Sequence, residues 1–303
     1  MRIIFLNLLI ILVLNAQSAY SQKPNNSCTI TYIANEGFLI ETANHKILID
    51  ALFGNIRGNW NDQPSDSISN LMLKGLPPFD NVDLILVTHK HSDHFNPPMI
   101  INFLKNNQKS ILICPDQANQ LLKSDADYLK VSKRLRPILS SIPFDTSLSV
   151  NNIKIKILRL NHGSYFEKDS ITGENYDLHS KIENFAYLIE VDSFIIYHSG
   201  DGSPATNIDL YKNYSIGDNE LDIAFLDRVY LSKEGQELIN KYINSNNIIF
   251  MHIDPGKSNY YKSVIQGVPE MFVFQASMEK RVISSNFLYP SNFSFKNRMW
   301  LMG

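Results

Sequence analysis

Seven consecutive residues, Thr88-His89-Lys90-His91-Ser92-Asp93-His94, place three imidazoles and a carboxylate within six positions of a chain with only 8 histidines in 303 residues. With residue types taken as independent, His-x-His-x-Asp-His arises in roughly one chain in ten thousand, which argues against a mere polar surface loop. Imidazole nitrogen and carboxylate oxygen are donors for zinc, manganese or iron. Histidines at i and i+2 of an extended segment point to the same side, so His89 and His91 can clasp one ion. Asp93 and His94, on the turn that follows, face a second position.

The elements around the motif explain how it is presented. Val82 to Thr88 is a short, nearly continuous apolar run, the pattern of a strand buried on both faces. Pro97 and Pro98 open a helix through Asn106. Thr29 to Thr42 and Lys46 to Ala51 read as a hairpin across Ala43-Asn44-His45. Leu52 to Asp80 reads as a long loop, a length that is usually functional. Ser110 to Cys114 is a buried strand, and Asp116 to Leu139 reads as mostly helical. Ile153 to Leu160 alternates as a half-exposed strand. Gly163 to Ile182 is polar and irregular. Asn184 to Glu190 and Phe194 to His198 form a second hairpin, Leu221 to Leu226 and Ile248 to Met251 are strands, Lys233 to Asn244 is a helix, and Pro269 to Val282 carries the last strand-like material.

Four residues cannot complete two metal positions, and the chain supplies three more in the same setting. His162 follows the strand 153–160, Asp201 follows 194–198 within His198-Ser199-Gly200-Asp201, and His252 follows 248–251. Each alone is as well explained by a turn or a satisfied core histidine. Together they are polar residues at the ends of apolar strands, and in a layered α/β architecture such ends converge on one edge.

Composition bounds the rest. A hydrophobic share of 44% and a charged share of 19% give a globular chain with a sizeable core. A net charge of −2 points to no nucleic-acid partner. Residues 1–21 read as an export signal: Met1-Arg2, an apolar run from Ile3 to Leu14, and Ala19-Tyr20-Ser21 before cleavage at Gln22. The run is short for a bilayer span, so the expectation is an exported, periplasmic or secreted protein with no transmembrane segment in its mature part. Residues 22–303 then read as one domain. Export permits a disulfide between Cys28 and Cys114, with two buried thiols as the alternative. Oligomeric state is not legible.

The motif, with a later His, a Gly-Asp and a final His each closing a strand, resembles the metallo-β-lactamase superfamily over about residues 28–285. The resemblance implies a four-layer αββα sandwich. It implies two divalent ions, zinc first with manganese or iron as alternatives. His89, His91 and His162 would hold one, Asp93, His94 and His252 the other, and Asp201 would bridge them. Asn184-Phe185-Ala186-Tyr187-Leu188-Ile189 followed by His198-Ser199-Gly200-Asp201 is similar in pattern to the branch with L-ascorbate-6-phosphate lactonase and N-acyl-phosphatidylethanolamine phospholipase D-like proteins. The expected activity is hydrolysis of a small-molecule ester, lactone or phosphoester by a hydroxide shared between the metals and oriented by Asp93. One alternative is a phosphodiesterase or phospholipase-type enzyme on lipid-derived substrates, contacted by Phe53, Trp60, Leu71, Met72 and Leu76. The other is a non-catalytic metal-binding scaffold. A β-lactam is not the expected substrate, because antibiotic-hydrolysing members of that family generally lack an aspartate at the position of Asp201. His179 is a candidate for substrate contact or proton transfer. His198 is expected to pack beside the site, His45 to be exposed, and Tyr230 to lie in the core or on the surface rather than in the cleft.

Overall fold

A computed structural model describes residues 26–54 and 61–285. The expected leader and Trp60 lie outside the described residues. Strands β1 (Ser27–Ala34), β2 (Gly37–Glu41), β3 (Lys46–Ile49), β4 (Leu84–Leu86), β5 (Ile111–Pro115) and β6 (Leu135–Ile138) belong to a first sheet. Strands β7 (Asp145–Val150), β8 (Ile153–Leu160), then, past a small hairpin of β9 (Phe166–Lys168) and β10 (Asn175–Asp177), β11 (Asn184–Val191), β12 (Phe194–His198), β13 (Ile223–Asp227), β14 (Ile248–Met251) and β15 (Met271–Val273) form a second. The last strand, β16 (Lys280–Ser284), returns to the first sheet, which runs β16-β1-β2-β3-β4-β5-β6; the second runs β15-β14-β13-β12-β11-β8-β7.

The central strands are apolar on both faces, and period-2 alternation sorts their side chains between two packing layers. Phe38 and Ile40, Leu84 and Leu86, Tyr187 and Ile189, Ile223 and Phe225 meet in one core between the sheets. Their neighbours Leu39 and Ile85 turn outward onto helix Pro97–Asn106 through Ile100, Phe103 and Leu104. On the other side Ala186, Ala224 and Leu226 pack with Leu210, Tyr211 and Leu238 of helices Pro204–Tyr214 and Lys233–Tyr242. The result is the four-layer αββα sandwich.

Strand direction does the positioning. β3 to β6 run parallel, and β1 runs with them because β2 opposes both of its neighbours. In the second sheet β12 to β15 are parallel, and β8 shares their direction because β11 is antiparallel to both β8 and β12. The carboxyl ends of β1, β3, β4, β8, β12, β13 and β14 therefore open on one edge of the sandwich.

Several elements differ from the sequence-based expectation. The run 29–42 is two strands, broken where Asn35 takes φ 51° and Glu36 follows. The expected loop 52–80 contains helix Asp66–Lys74, capped by Ser65 and closed by Gly75 in the left-handed region. Within that segment Phe53 and Met72 are buried, so neither offers a lipid contact. The expected long helix 116–139 is two short ones, Asp116–Leu122 and Tyr128–Val131, and then β6, because Pro137 cannot continue a helix and is tolerated on an edge strand. The irregular segment 163–182 contains the β9–β10 hairpin. Cys28 and Cys114 are free thiols on opposite faces of the first sheet, so the disulfide that export would permit does not form. Burial pushes the Cys28 thiol up to about 12. Among the described residues no helix is long and apolar enough to cross a membrane.

Candidate metal centre

All seven expected ligands converge at this edge. His89, His91, His162 and Asp201 offer ligand atoms within 4.8 Å of one another, and so do Asp93, His94 and His252. In the first set His89 Nε2 lies 3.0 Å from His91 Nδ1 and 3.3 Å from His162 Nε2, and His162 Nε2 lies 3.3 Å from Asp201 Oδ2. In the second, His94 Nε2 and His252 Nε2 each lie 3.3 Å from Asp93 Oδ2. Asp201 joins the sets: its Oδ1 is 3.2 Å from His94 Nε2 while its Oδ2 faces His89 and His162.

The donor chemistry fits metal ions. His94 Nε2 and Asp201 Oδ1 are buried without a hydrogen-bond partner among the described residues, and both point to the space between the sets. Burial drives the His89 pKa well below the ordinary value and His91 down to about 4, with His162 adding to the shift of His91. Both rings are therefore neutral, with lone pairs available at neutral pH. Burial opposes charge on His94, but Asp201, Asp93 and Asp50 hold its pKa well above the usual imidazole value. Burial would raise Asp93, yet His94 and His252 hold its carboxyl well below the usual carboxylate range. His252 is raised, Asp201 and Asp93 outweighing its burial.

Ring orientation comes from residues that sequence reasoning missed. Asp50, just past β3 and at φ 43°, accepts from Thr88 N at 2.8 Å and Thr88 Oγ1 at 2.5 Å. Its Oδ2 also lies 2.9 Å from His94 Nδ1. Thr88 Oγ1, having given its proton to Asp50, accepts from His89 Nδ1 at 3.0 Å. One carboxylate thus orients a histidine of each set with Nε2 toward the space a cation would take, where the ion would replace the proton that the raised pKa keeps on His94. His162 and His179 each direct Nδ1 at the Gly163 carbonyl, at 2.8 and 2.9 Å. Asn35 Nδ2 at 3.2 Å and Asn61 Nδ2 at 2.5 Å donate to Asp93 Oδ2. Arg228 Nη1 lies 2.6 Å from His252 Nδ1, and His252 is held at φ 56°.

The remaining expectations divide. His179 sits beside the first set, its ring 4.7 Å from His91 and 4.4 Å from His162, stacked on Tyr165. His198 is fully buried, accepting from Gly200 N and facing the Glu36 carbonyl. Tyr230 is buried against Tyr211, away from the cleft. His45 is half-buried rather than exposed, 3.4 Å from Asp83. Glu36, Asp50 and Asp227 were missed because single acidic residues at strand ends carry no spacing signal. Asp50 was nonetheless visible as a carboxylate closing an apolar strand, as Asp201 is.

Two groups of imidazole and carboxylate donors, sharing one aspartate at the carboxyl edge of an αββα sandwich, define a metal-binding protein of the metallo-β-lactamase fold. Residues 45–237, more than half of the chain, match the beta-lactamase superfamily domain, and the chain belongs to that family. It is 25% identical over 226 residues to a UPF0173 metal-dependent hydrolase of Pelotomaculum thermopropionicum, covering 74% of this chain and 83% of that one. A UPF0173 metal-dependent hydrolase of Anoxybacillus flavithermus is 26% identical over 251 residues, 80% of this chain and 91% of its own. Among solved structures, a possible metal-dependent hydrolase from Veillonella parvula superposes with a TM-score of 0.58 at 16% identity, over 84% of this chain and 98% of that one.

Proposed function

We propose that this protein is a binuclear metal-dependent hydrolase of small-molecule esters, lactones or phosphoesters. The observation that carries the reading is the pair of donor sets meeting at Asp201. The relatives described as metal-dependent hydrolases agree with it in kind. When bound, two divalent ions supply an acidified water and Lewis-acid stabilisation of an oxygen that gains charge. The chain contributes position. Asp93 is pinned by Asn35 and Asn61 with an oxygen turned to the second set, where it can orient a water. His179, its Nδ1 committed to Gly163, keeps Nε2 as a proton acceptor beside His91 and His162. Asp201 adds negative charge where the carboxylate of a β-lactam would have to sit, so β-lactams are poor substrates in this reading.

The test is turnover of an acyl lactone, an aryl phosphodiester, a penicillin and a cephalosporin, before and after chelation. The reading expects ester or phosphoester turnover that chelator abolishes and zinc, manganese or iron restores. Turnover indifferent to chelator overturns it. A β-lactam kcat/KM above about 10⁴ M⁻¹s⁻¹ and above every ester overturns the substrate assignment.

A second reading, substrates with an apolar acyl chain, has its own support. The β9–β10 hairpin beside His179 exposes Phe166, Ile171 and Tyr176. Rising turnover with acyl-chain length in the same panel would favour it. Export with cleavage before Gln22 is also part of the proposal, and the N-terminal mass of the mature chain tests it.

A further inference from the structure

Glu36 is an acidic residue that neither donor set uses. It lies in the turn between β1 and β2 at the same edge of the sandwich, and its side chain is fully buried. Both carboxylate oxygens lack a hydrogen-bond partner among the described residues. His94 Nδ1 is already committed: it stands 3.7 Å from Glu36 Oε2 but only 2.9 Å from Asp50 Oδ2. A buried carboxylate without a donor is costly, and the environment must supply either a cation or a proton.

Geometry favours the cation. One ligand atom each from Glu36, Asp201, Asp227 and His252 lies within 4.8 Å of the other three. That spread suits a first-row dication with ligands at about 2.1 Å after small side-chain adjustment. Asp227 closes β13 and is buried, with Oδ1 held by Val229 N at 2.8 Å. Three carboxylates and one imidazole make a harder, more oxygen-rich set than Asp93, His94 and His252.

We propose that Glu36 and Asp227, with Asp201 and His252, form an inner position for the second metal that selects a hard dication such as manganese, while zinc stays with Asp93, His94 and His252. The inference rests on the binuclear reading above. His252 offers one ligand atom, so the inner and outer positions are alternatives and the total remains two ions per chain. The metal centre then has a built-in sorting element: the first position is histidine-rich, and the second shifts inward or outward with the hardness of its ion.

The test titrates the metal-depleted full chain with manganese alone and with zinc alone, in wild type and Glu36→Gln, by equilibrium dialysis with elemental analysis. Glutamine keeps the shape of glutamate and removes the charge that the carboxylate carries. The expected result is that Glu36→Gln binds its second manganese more than about tenfold more weakly, while both zinc equivalents stay near wild type and report an intact fold. Unchanged manganese binding in Glu36→Gln means that Glu36 carries only a proton and overturns the inference. Equal loss of zinc and manganese in a folded variant assigns Glu36 a structural role and also overturns it. A crystal structure of the manganese-loaded wild type answers the question without a variant: manganese at bonding distance from the Glu36 carboxylate supports the inference, and manganese out of its reach overturns it. Wild-type protein that takes fewer than two zinc ions brings down the binuclear reading and this inference together. Two zinc ions with no dependence of manganese on Glu36 bring down this inference alone.

Discussion

At the scale of single residues, what suits the histidines to hold a metal is that neighbouring groups fix their rings. Asp50 illustrates this most plainly, since it reaches His94 directly and His89 through Thr88. Asp50→Asn removes the acceptor charge that fixes both tautomers, and the expectation is a loss of about 10–100-fold in affinity for each of the two metal equivalents. Titration calorimetry checks it; loss confined to one equivalent would show that the Thr88 relay does not act. His198 is a second residue-scale case, because burial pushes its pKa down to about 4. The unfolded chain protonates this ring near pH 6.5, whereas the folded chain does so only near pH 4. Across that window the unfolded state binds more protons, so stability falls as pH falls. The His198 share approaches about 3 kcal/mol at the acid end. Comparing urea unfolding of wild type and His198→Gln at pH 7.5 and pH 4.5 tests it, with a shallower pH dependence expected in the variant.

At the scale of elements, the turn after β12 places Asp201. Gly200 adopts φ 51°, and a Cβ there would meet Asn184 Oδ1 at 2.6 Å, the Phe185 carbonyl at 2.9 Å and Thr88 Cβ at 3.0 Å. Asn184 Oδ1 is also the acceptor for Asp201 N. Gly200→Ala is therefore expected to cost about 2 kcal/mol or more and to weaken metal binding with it. Urea denaturation with parallel metal analysis measures both. The sequence exposes such elements unevenly. His162, Asp201 and His252 were legible because each follows a segment with the pattern of a strand, alternating at 153–160 and apolar at 194–198 and 248–251. Helix Asp66–Lys74 was not, because its apolar set of Ile68, Leu71, Met72 and Leu73 spans less than two turns and its caps, Ser65 and Gly75, look like ordinary loop residues. The segment 116–139 misled because two short helices and an edge strand have no period of their own long enough to separate them. Asp227 closes an apolar strand as Asp50 does, but like Glu36 it has no spacing signal, and its significance lies in which strand ends meet across the sandwich, which only the fold decides.

At the scale of the whole molecule, each donor set draws on both sheets. His89 and His91 come from the first sheet, His162 and Asp201 from the second; Asp93 and His94 come from the first, His252 from the second. Metal ions held there would tie the sheets together at the edge where backbone contacts are few, such as Phe185 N to Thr88 O and His252 N to Asn35 O. Free metal at a hundred times its Kd is then expected to stabilise the fold by about 2.7 kcal/mol per site, seen as a fall in Tm on chelation. Whether this edge holds two metals is read from the metal content of the purified chain after reconstitution with zinc. Two ions per chain are expected, falling to one or none in Asp201→Ala, whose lost carboxylate no longer screens one cation from the other. A ratio that stays at one or zero in the wild type would contradict it.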